Sequence, residues 1–140
     1  MGNRAVITTD CINAKYSYKL GVYLHWNGGR DSVEAFLSYC KLKKYASPEN
    51  DNYGFARLCQ VIGNFFGDTD SIGIDLCTNL DCDNFDNGVY IIKEWQIIGR
   101  QFMKSGEQNI YKIKDMLMAI NNSQPLKEQL EQSIINEYCK

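Results

Sequence analysis

Strand-like and helix-like segments occur in pairs along this sequence, and this order is its most constraining feature. Runs rich in β-branched and aromatic residues predict strands, while apolar residues recurring every three to four positions predict helices. The predicted order is two strands, two helices, two strands and two helices, at residues 5–9, 16–26, 32–44, 53–66, 71–77, 88–99, 109–122 and 126–138. Because strands and helices do not alternate, a parallel α/β fold is disfavoured.

The paired order favours an α+β fold. The predicted sheet is antiparallel, with about four to five strands, helices packed on one face and a C-terminal helical pair. Residues 5–9 and 16–26 are expected to form one hairpin, and residues 71–77 and 88–99 a second hairpin of the same sheet. Because 44% of the residues are hydrophobic, residues 1–140 are predicted to form a single ligand-binding domain with its own core.

Charge and cysteine spacing narrow the classes of function. The formal net charge is −2 at pH 7, so no overall positive field attracts a nucleic acid polymer, and a phosphate-bearing ligand needs a local basic site. The six cysteines are scattered without a CxxC pair, which favours reduced thiols. No signal peptide and no apolar run of bilayer length are recognisable, so we expect a cytoplasmic protein without a membrane partner.

The segment HWNGGRDSVE, residues 25–34, is informative about ligand binding because two consecutive glycines join a predicted strand to a predicted helix. Gly28 and Gly29 allow a sharp turn with open backbone N–H groups, and the start of the next helix favours an anion. Arg30 adds a bidentate cation for phosphate oxygens. Trp26 adds a flat surface on which a purine can stack.

The same loop also has a purely structural interpretation. Asn27, Gly28 and Gly29 then form only a tight connection, while Asp31 or Ser32 caps the helix and Glu34 completes a capping box to Asp31. The loop lacks the GxGxxG fingerprint and the Lys and Ser/Thr of a P-loop. Both interpretations stay open from the sequence alone.

Other candidate ligand-binding residues lie outside this loop. Arg57 falls on the second predicted helix and Arg100 follows the fourth predicted strand, and each either reaches an anionic site or is an ordinary ion-pair partner. Phe85 lies at the tip of the polar loop 81–88, where an aromatic ring can close over a bound base. The predicted ligand-binding residues are Trp26, Asn27, Gly28, Gly29, Arg30, Arg57, Phe85, Asn87 and Arg100.

Catalytic and metal-binding groups are not recognisable. His25 is the only histidine, which excludes a catalytic triad or a metal centre that needs two histidines. The three aspartates of loop 81–88 lack the glycine and glutamate spacing of a calcium loop. No cysteine lies in a motif that would activate a Cys–His pair. We therefore predict a binding protein with no catalytic residue, metal or cofactor.

The last predicted helix carries apolar residues four positions apart: Leu126, Leu130, Ile134 and Tyr138. Such a stripe usually packs on its own domain. Beside the amphipathic helix predicted at residues 109–122, it also suits a contact between subunits. We predict that the C-terminal helical pair, residues 108–140, joins copies of the chain into at least a dimer.

Four segments carry a resemblance to a known family: GVYLHWNGGRDSVEAFLSYCKLKKY, NYGFARLCQVIGNFFG, SIGID and DNGVYIIKEWQIIGR. Together they resemble small proteins coded by phages and prophages of Gram-positive bacteria. The family they resemble is the first-described family of Thoeris anti-defence proteins. The resemblance covers approximately residues 3–115. Its motifs are less specific than a P-loop or a metal-binding signature, so the likeness is one of the whole segment.

The resemblance implies a function as a signal sponge. Proteins of this family bind and sequester cyclic ADP-ribose isomers made by TIR-domain immune proteins, without cleaving them. Some members take up cyclic oligonucleotides at a separate site, and the family assembles into dimers and hexamers. The site residues of this chain are proposed from their own chemistry, and only the nucleotide-like ligand comes from the resemblance.

Two other classes of function stay open. The first is a phage inhibitor that binds a protein, such as an anti-CRISPR protein whose acidic surface mimics nucleic acid. The second is a small enzyme acting on a nucleotide, which lacks a visible catalytic group. Uptake of intact cyclic nucleotide would distinguish a sponge from both.

Overall fold

The computed structural model describes residues 2–9, 19–67 and 70–140. It confirms the α+β class, with a five-stranded sheet and four α-helices among these residues. The strands are β1 Ala5–Thr9, β2 Leu20–Leu24, β3 Ile72–Leu76, β4 Val89–Lys93 and β5 Gln96–Gln101. The helices are α1 Arg30–Leu42, α2 Asn52–Phe66, α3 Ile113–Ser123 and α4 Gln132–Tyr138. Part of the strand predicted at residues 16–26, and Cys11, lie outside the described residues.

The sheet has the strand order β3-β2-β1-β4-β5, so β1 lies at its centre. β1 and β2 pair antiparallel, as the predicted first hairpin requires. β1 and β4 run parallel, with Val6 opposite Val89, so the sheet is mixed and not wholly antiparallel. A parallel pair needs a long connection, which β2, α1, α2 and β3 supply here.

The predicted second hairpin does not form between residues 71–77 and 88–99. β3 pairs with β2 instead, and the segment 88–99 itself folds back at Glu94 and Trp95 to give β4 and β5. Both turn residues have positive φ, 51° and 62°. The Trp95 indole nitrogen donates to the carbonyl oxygen of Tyr45 at 2.9 Å, which anchors the turn on the end of α1.

The two faces of the sheet are covered differently. On one face, strand side chains pack with α1, α2 and α3 into the main core, which includes Ile7, Val22, Leu24, Phe36, Leu58, Tyr90, Ile92 and Leu117. On the other face, Val6 and Val89 pack against Cys77 and Cys82 from the connection between β3 and β4. The helices therefore lie on one face, as predicted. In the described part of the chain, no helix is both long and apolar enough to cross a membrane.

The C-terminal helical pair differs from its predicted form. The second helix begins at Gln132, because residues 124–131 form a linker that contains a short 3-10 turn. Its buried anchor is Ile135, whereas Leu126 is 85% exposed. Leu130 packs against the core, so the predicted stripe is divided between the interior and the surface.

Candidate functional site

The glycine loop before α1 is closed by the chain itself. The backbone N–H of Gly28 donates to the carbonyl oxygen of Asn3 at 2.8 Å, and a Cβ at Gly28 would lie 2.5 Å from that oxygen. A Cβ at Gly29 would lie 2.4 Å from the carbonyl oxygen of Gln108. Both glycines thus allow close approach of other backbone segments, which supports the structural interpretation of this loop.

Polar groups at the first turn of α1 are also hydrogen-bonded to other parts of the chain. Asp31 N donates to Asn109 Oδ1 at 3.0 Å, and Ser32 N donates to Asp31 Oδ1 at 2.6 Å. Asp31 Oδ2 accepts from the backbone nitrogens of Ile110 and Tyr111 at 2.8 and 2.6 Å. These contacts correct the expectation that the helix start faces an anion, because the chain folds its own polar groups over it.

Arg30 is held in ion pairs. Its Nε lies 2.7 Å from Glu107 Oε2, and its Nη1 lies 3.8 Å from Glu34 Oε1. The guanidinium also lies over the ring of Tyr90, 5.4 Å from the ring centre, and the Tyr90 hydroxyl donates to the same Glu107 oxygen at 2.8 Å. Arg30, the residue expected to bind phosphate, is therefore paired with the Glu107 carboxylate of the same chain.

These contacts change the pKa of the Glu107 carboxylate. Burial acts to raise its pKa, but hydrogen bonds from Tyr90 and Arg30 outweigh burial, and the pKa is lowered from 4.5. A carboxyl with a lower pKa in the folded than in the unfolded state adds stability above the unfolded pKa. That contribution is lost as the pH falls through the folded pKa.

We expect Glu107→Gln to reduce the acid sensitivity of the fold. The wild type should lose stability below pH 4.5 partly because Glu107 takes up a proton there, and the glutamine variant lacks this step. Melting temperatures measured between about pH 7 and about pH 3 should therefore fall less steeply in the variant. The matched control is Glu137→Gln, which removes an exposed carboxylate on α4. Parallel curves for wild type and Glu107→Gln would contradict the assignment.

Asn87 and Arg100 also have structural roles. Asn87 is fully buried, and its Nδ2 lies 2.7 Å from Asn3 Oδ1 and 2.9 Å from the carbonyl oxygen of Arg4. Arg100 Nε donates to the carbonyl oxygen of Asn87 at 2.7 Å, and its Nη2 donates to that of Ser105 at 2.9 Å. Both residues tie the loop before β4 to neighbouring segments, and a buried Asn87 offers no surface to a ligand.

Trp26 and Phe85 are the two predicted site residues with exposed aromatic rings. Trp26 is 46% exposed and packs edge-on against His25. Phe85 is 60% exposed, with Lys104 Nζ at 4.7 Å from its ring centre. Asn27 is half-buried, with its Nδ2 at 3.5 Å from Ser32 Oγ and 3.7 Å from Met116 Sδ. The described contacts do not bring Trp26 and Phe85 together around one ligand-sized cavity.

A cavity of about 310 Å³ lies between α2 and the linker from α3 to α4. Its lining combines polar and apolar surface from three parts of the chain: Tyr45, Arg57, Gln60, Val61, Asn64, Gln124, Pro125, Lys127 and Glu128. Its volume is at the lower end of the range for small-molecule sites. Arg57 is the one predicted ligand-binding residue that lines it.

Arg57 has a buried side-chain donor that no described residue satisfies. Its Nε is buried and has no hydrogen-bond partner among the described residues. By contrast, Arg4 pairs with Asp86 and Arg30 with Glu107, while Arg100 binds backbone carbonyl oxygens. A buried donor without a partner is costly, and an acceptor that reached this nitrogen would remove the cost.

The charges around the cavity favour an anion. Arg57 and Lys127 are positive, and the one lining carboxylate, Glu128, pairs with Lys43 at 3.2 Å. Burial raises the pKa of Tyr45, and so does Glu128, while the Arg57 charge acts in the opposite direction. Arg57 and Tyr45 line the same cavity.

Sequence reasoning missed most residues of this cavity. Arg57, Gln60 and Asn64 recur three and four positions apart, so a polar stripe on α2 beside its apolar face was a usable signal. Gln124 and Lys127 gave no such signal, because they reach the cavity only through the packing of the C-terminal linker. The described residues hold no group of three or more His, Cys, Asp or Glu side chains arranged around a metal ion.

The cavity is suited chemically to binding a phosphate-bearing molecule, with cations at Arg57 and Lys127, side-chain amides at Gln60 and Asn64, and an aromatic ring at Tyr45. No protein-family model matches the chain, and neither a curated protein nor a solved structure matches it at a significant level.

Proposed function

We propose that this protein binds and sequesters a cyclic nucleotide immune signal, a cyclic ADP-ribose isomer, without cleaving it. It would act as a phage anti-defence protein of the Thoeris type in the cytoplasm of the infected bacterium. The observation that carries the proposal is the buried Nε of Arg57, which has no hydrogen-bond partner among the described residues and belongs to a side chain that lines the cavity between α2 and the C-terminal linker. The resemblance of the sequence to phage signal sponges supports the choice of ligand.

The cavity supports a single nucleotide-sized ligand. Arg57 can place two parallel N–H donors on phosphate oxygens, and Lys127 adds a mobile charge from the linker. A volume of about 310 Å³ is small for a cyclic oligonucleotide. If this chain also takes up cyclic oligonucleotides, as some members of the family do, they need a separate site.

Uptake and release test this proposal. The protein is incubated with cyclic ADP-ribose isomers, freed of unbound ligand by gel filtration, and heated, and the released material is identified by mass spectrometry. Intact ligand released only on denaturation supports a sponge. Altered ligand would instead make the protein a nucleotide-acting enzyme. Absence of uptake would favour the alternative, a phage inhibitor of a protein such as an anti-CRISPR protein.

The proposal includes self-association into a dimer or a hexamer through the C-terminal helical pair. Leu126, Ile134 and Tyr138 are exposed apolar residues on this part of the surface. Leu130 is excluded from the test because it packs against the core, and a charge there would damage the fold.

We expect Leu126→Glu combined with Ile134→Glu to shrink the particle to a monomer, because each charge would be buried in the contact between copies. Light scattering at micromolar concentration measures the change. Tyr53→Glu, on an exposed apolar residue of α2, is the matched control and should leave the assembly intact. A wild-type protein that is already monomeric would remove this part of the proposal.

A further inference from the structure

The side-chain amide of Gln124 has only one orientation that satisfies its neighbours. Gln124 is buried, and its Nε2 lies 3.1 Å from the carbonyl oxygen of Val61 and 3.2 Å from that of Ile120. Carbonyl oxygens only accept hydrogen bonds, so the nitrogen must face them. Gln124 Oε1 is therefore directed to Asn64, whose Nδ2 lies at 2.9 Å.

The orientation of Asn64 follows from that of Gln124. Because Oε1 of Gln124 only accepts, Asn64 must present its nitrogen to it, and Asn64 Oδ1 is fixed on the other side of the amide. No described residue donates to this oxygen, and Asn64 lines the cavity. Asn64 thus offers an acceptor of fixed position, next to a nitrogen with one further hydrogen.

The distance between Asn64 and Arg57 matches the distance between the base and the phosphate of a nucleotide. Asn64 and Arg57 are seven residues apart on α2, which is about two turns, so they share one face and are separated by roughly 10 Å along the axis. This is comparable to the distance between the 5′-phosphate and the base of the adenosine unit in a cyclic ADP-ribose isomer with an unmodified adenine. A ligand with its phosphates on Arg57 can therefore place its base at Asn64.

We propose that Asn64, held in position by Gln124, reads the base and selects a 6-aminopurine over a 6-oxopurine. This inference rests on the proposed function and adds the specificity of the same site. The amino group of adenine donates to Asn64 Oδ1 while an adjacent ring nitrogen accepts from Nδ2, the usual pairing of asparagine with adenine. A 6-oxo group at the same place would face Asn64 Oδ1, and both oxygens only accept hydrogen bonds. The Asn64 amide cannot rotate to present its nitrogen without losing its hydrogen bond to Gln124.

The test compares two ligands that differ at this one position. Calorimetric titration uses a cyclic ADP-ribose isomer with an unmodified adenine and its 6-oxo analogue. The wild type should bind the adenine ligand roughly ten- to a hundred-fold more tightly, the range expected for a lost bidentate base contact. In Asn64→Ala the ratio should approach one, while affinity for the 6-oxo ligand stays near the wild-type value and so reports an intact site.

Two further variants distinguish recognition of the base by Asn64 from the positioning of Asn64 by Gln124. Gln124→Met removes the group that fixes Asn64, so the ratio should fall even where circular dichroism shows a native fold. Asn136→Ala changes an exposed amide on α4 that does not line the cavity, and it should keep the wild-type ratio.

The outcomes distinguish this inference from the proposed function. Equal binding of both ligands by the wild type, or an unchanged ratio in Asn64→Ala, would overturn the inference and leave the sponge function standing. Binding of neither ligand by the wild type would overturn the proposed function, and the inference with it.

Discussion

Replacement of Arg57 by methionine should weaken binding of the cyclic nucleotide by roughly ten- to a hundred-fold and leave the fold at least as stable as before. The binding loss follows because a charge-assisted hydrogen bond contributes about 1.5–3 kcal/mol. The stability follows because the buried Nε of Arg57 has no partner among the described residues, so its removal relieves an unsatisfied donor. Methionine keeps the apolar stem that packs on α2.

Calorimetric titration and thermal melting of the same samples measure both effects. Lys114→Met is the matched control, because it makes the same change of charge at an exposed site on α3. Arg57→Lys should recover part of the affinity, since lysine keeps the charge without the planar fork. Wild-type affinity in Arg57→Met would show that the ligand does not bind in this cavity. Trp26 and Phe85 would then be the remaining candidate ligand residues.

Arg30→Ala should behave in the opposite way to Arg57→Met. Arg30 is paired with Glu107, so its loss leaves that carboxylate with one partner fewer and lowers stability modestly. Ligand affinity should stay within about twofold of the wild type, since the paired guanidinium is not available to phosphate. A ten-fold loss of affinity without loss of stability would restore the loop before α1 as the ligand site.

Local signals predicted α2 well. The helix follows turn-forming residues, its apolar residues recur on one face, and Gly67 ends it with a φ of 70° that favours glycine. Asp51 reinforces the start by accepting from the backbone nitrogens of Tyr53 and Gly54. All these interactions lie within a few residues of one another, which is why the sequence alone indicates them.

The β4–β5 turn could not be predicted in the same way. Glu94 and Trp95 both have positive φ, which short hairpins usually achieve with asparagine, aspartate or glycine. Distant contacts stabilise the turn: Glu94 N donates to Glu49 Oε1 at 3.1 Å, and Trp95 to the backbone of Tyr45. Such contacts are absent from the local pattern, so the segment was predicted as one strand.

The candidate site was predictable only in part, because a cation is available to a ligand when the fold leaves it unpaired. Arg30 and its partner Glu107 are 77 positions apart, and nothing in the sequence near Arg30 indicates that pairing. The sequence therefore identifies Arg30, Arg57 and Arg100 as candidates and favours Arg30, because two glycines and a helix start adjoin it. Long-range packing then pairs Arg30 and Arg100, while the Nε of Arg57 has no partner in the part of the chain that the structure describes.

Asn87→Ala should lower the free energy of unfolding by about 2–4 kcal/mol, a large effect for one side chain. Asn87 is fully buried, and its Nδ2 lies within hydrogen-bond distance of Asn3 Oδ1, the Arg4 carbonyl oxygen and Gln108 Oε1. Its Oδ1 accepts from Gln108 N at 2.8 Å. Alanine leaves these buried groups unsatisfied and opens a small cavity.

Asn87→Asp should be at least as damaging, although it has nearly the same shape. It replaces the donating nitrogen by an oxygen that faces three acceptors, on Asn3, Arg4 and Gln108, so attraction becomes repulsion. Urea unfolding followed by circular dichroism measures both variants, with Asn122→Ala at an exposed position of α3 as a control expected within about 0.5 kcal/mol of wild type. The folded fraction of Asn87→Ala should bind ligand as the wild type does; weakened binding by a fully stable variant would instead make Asn87 a ligand residue.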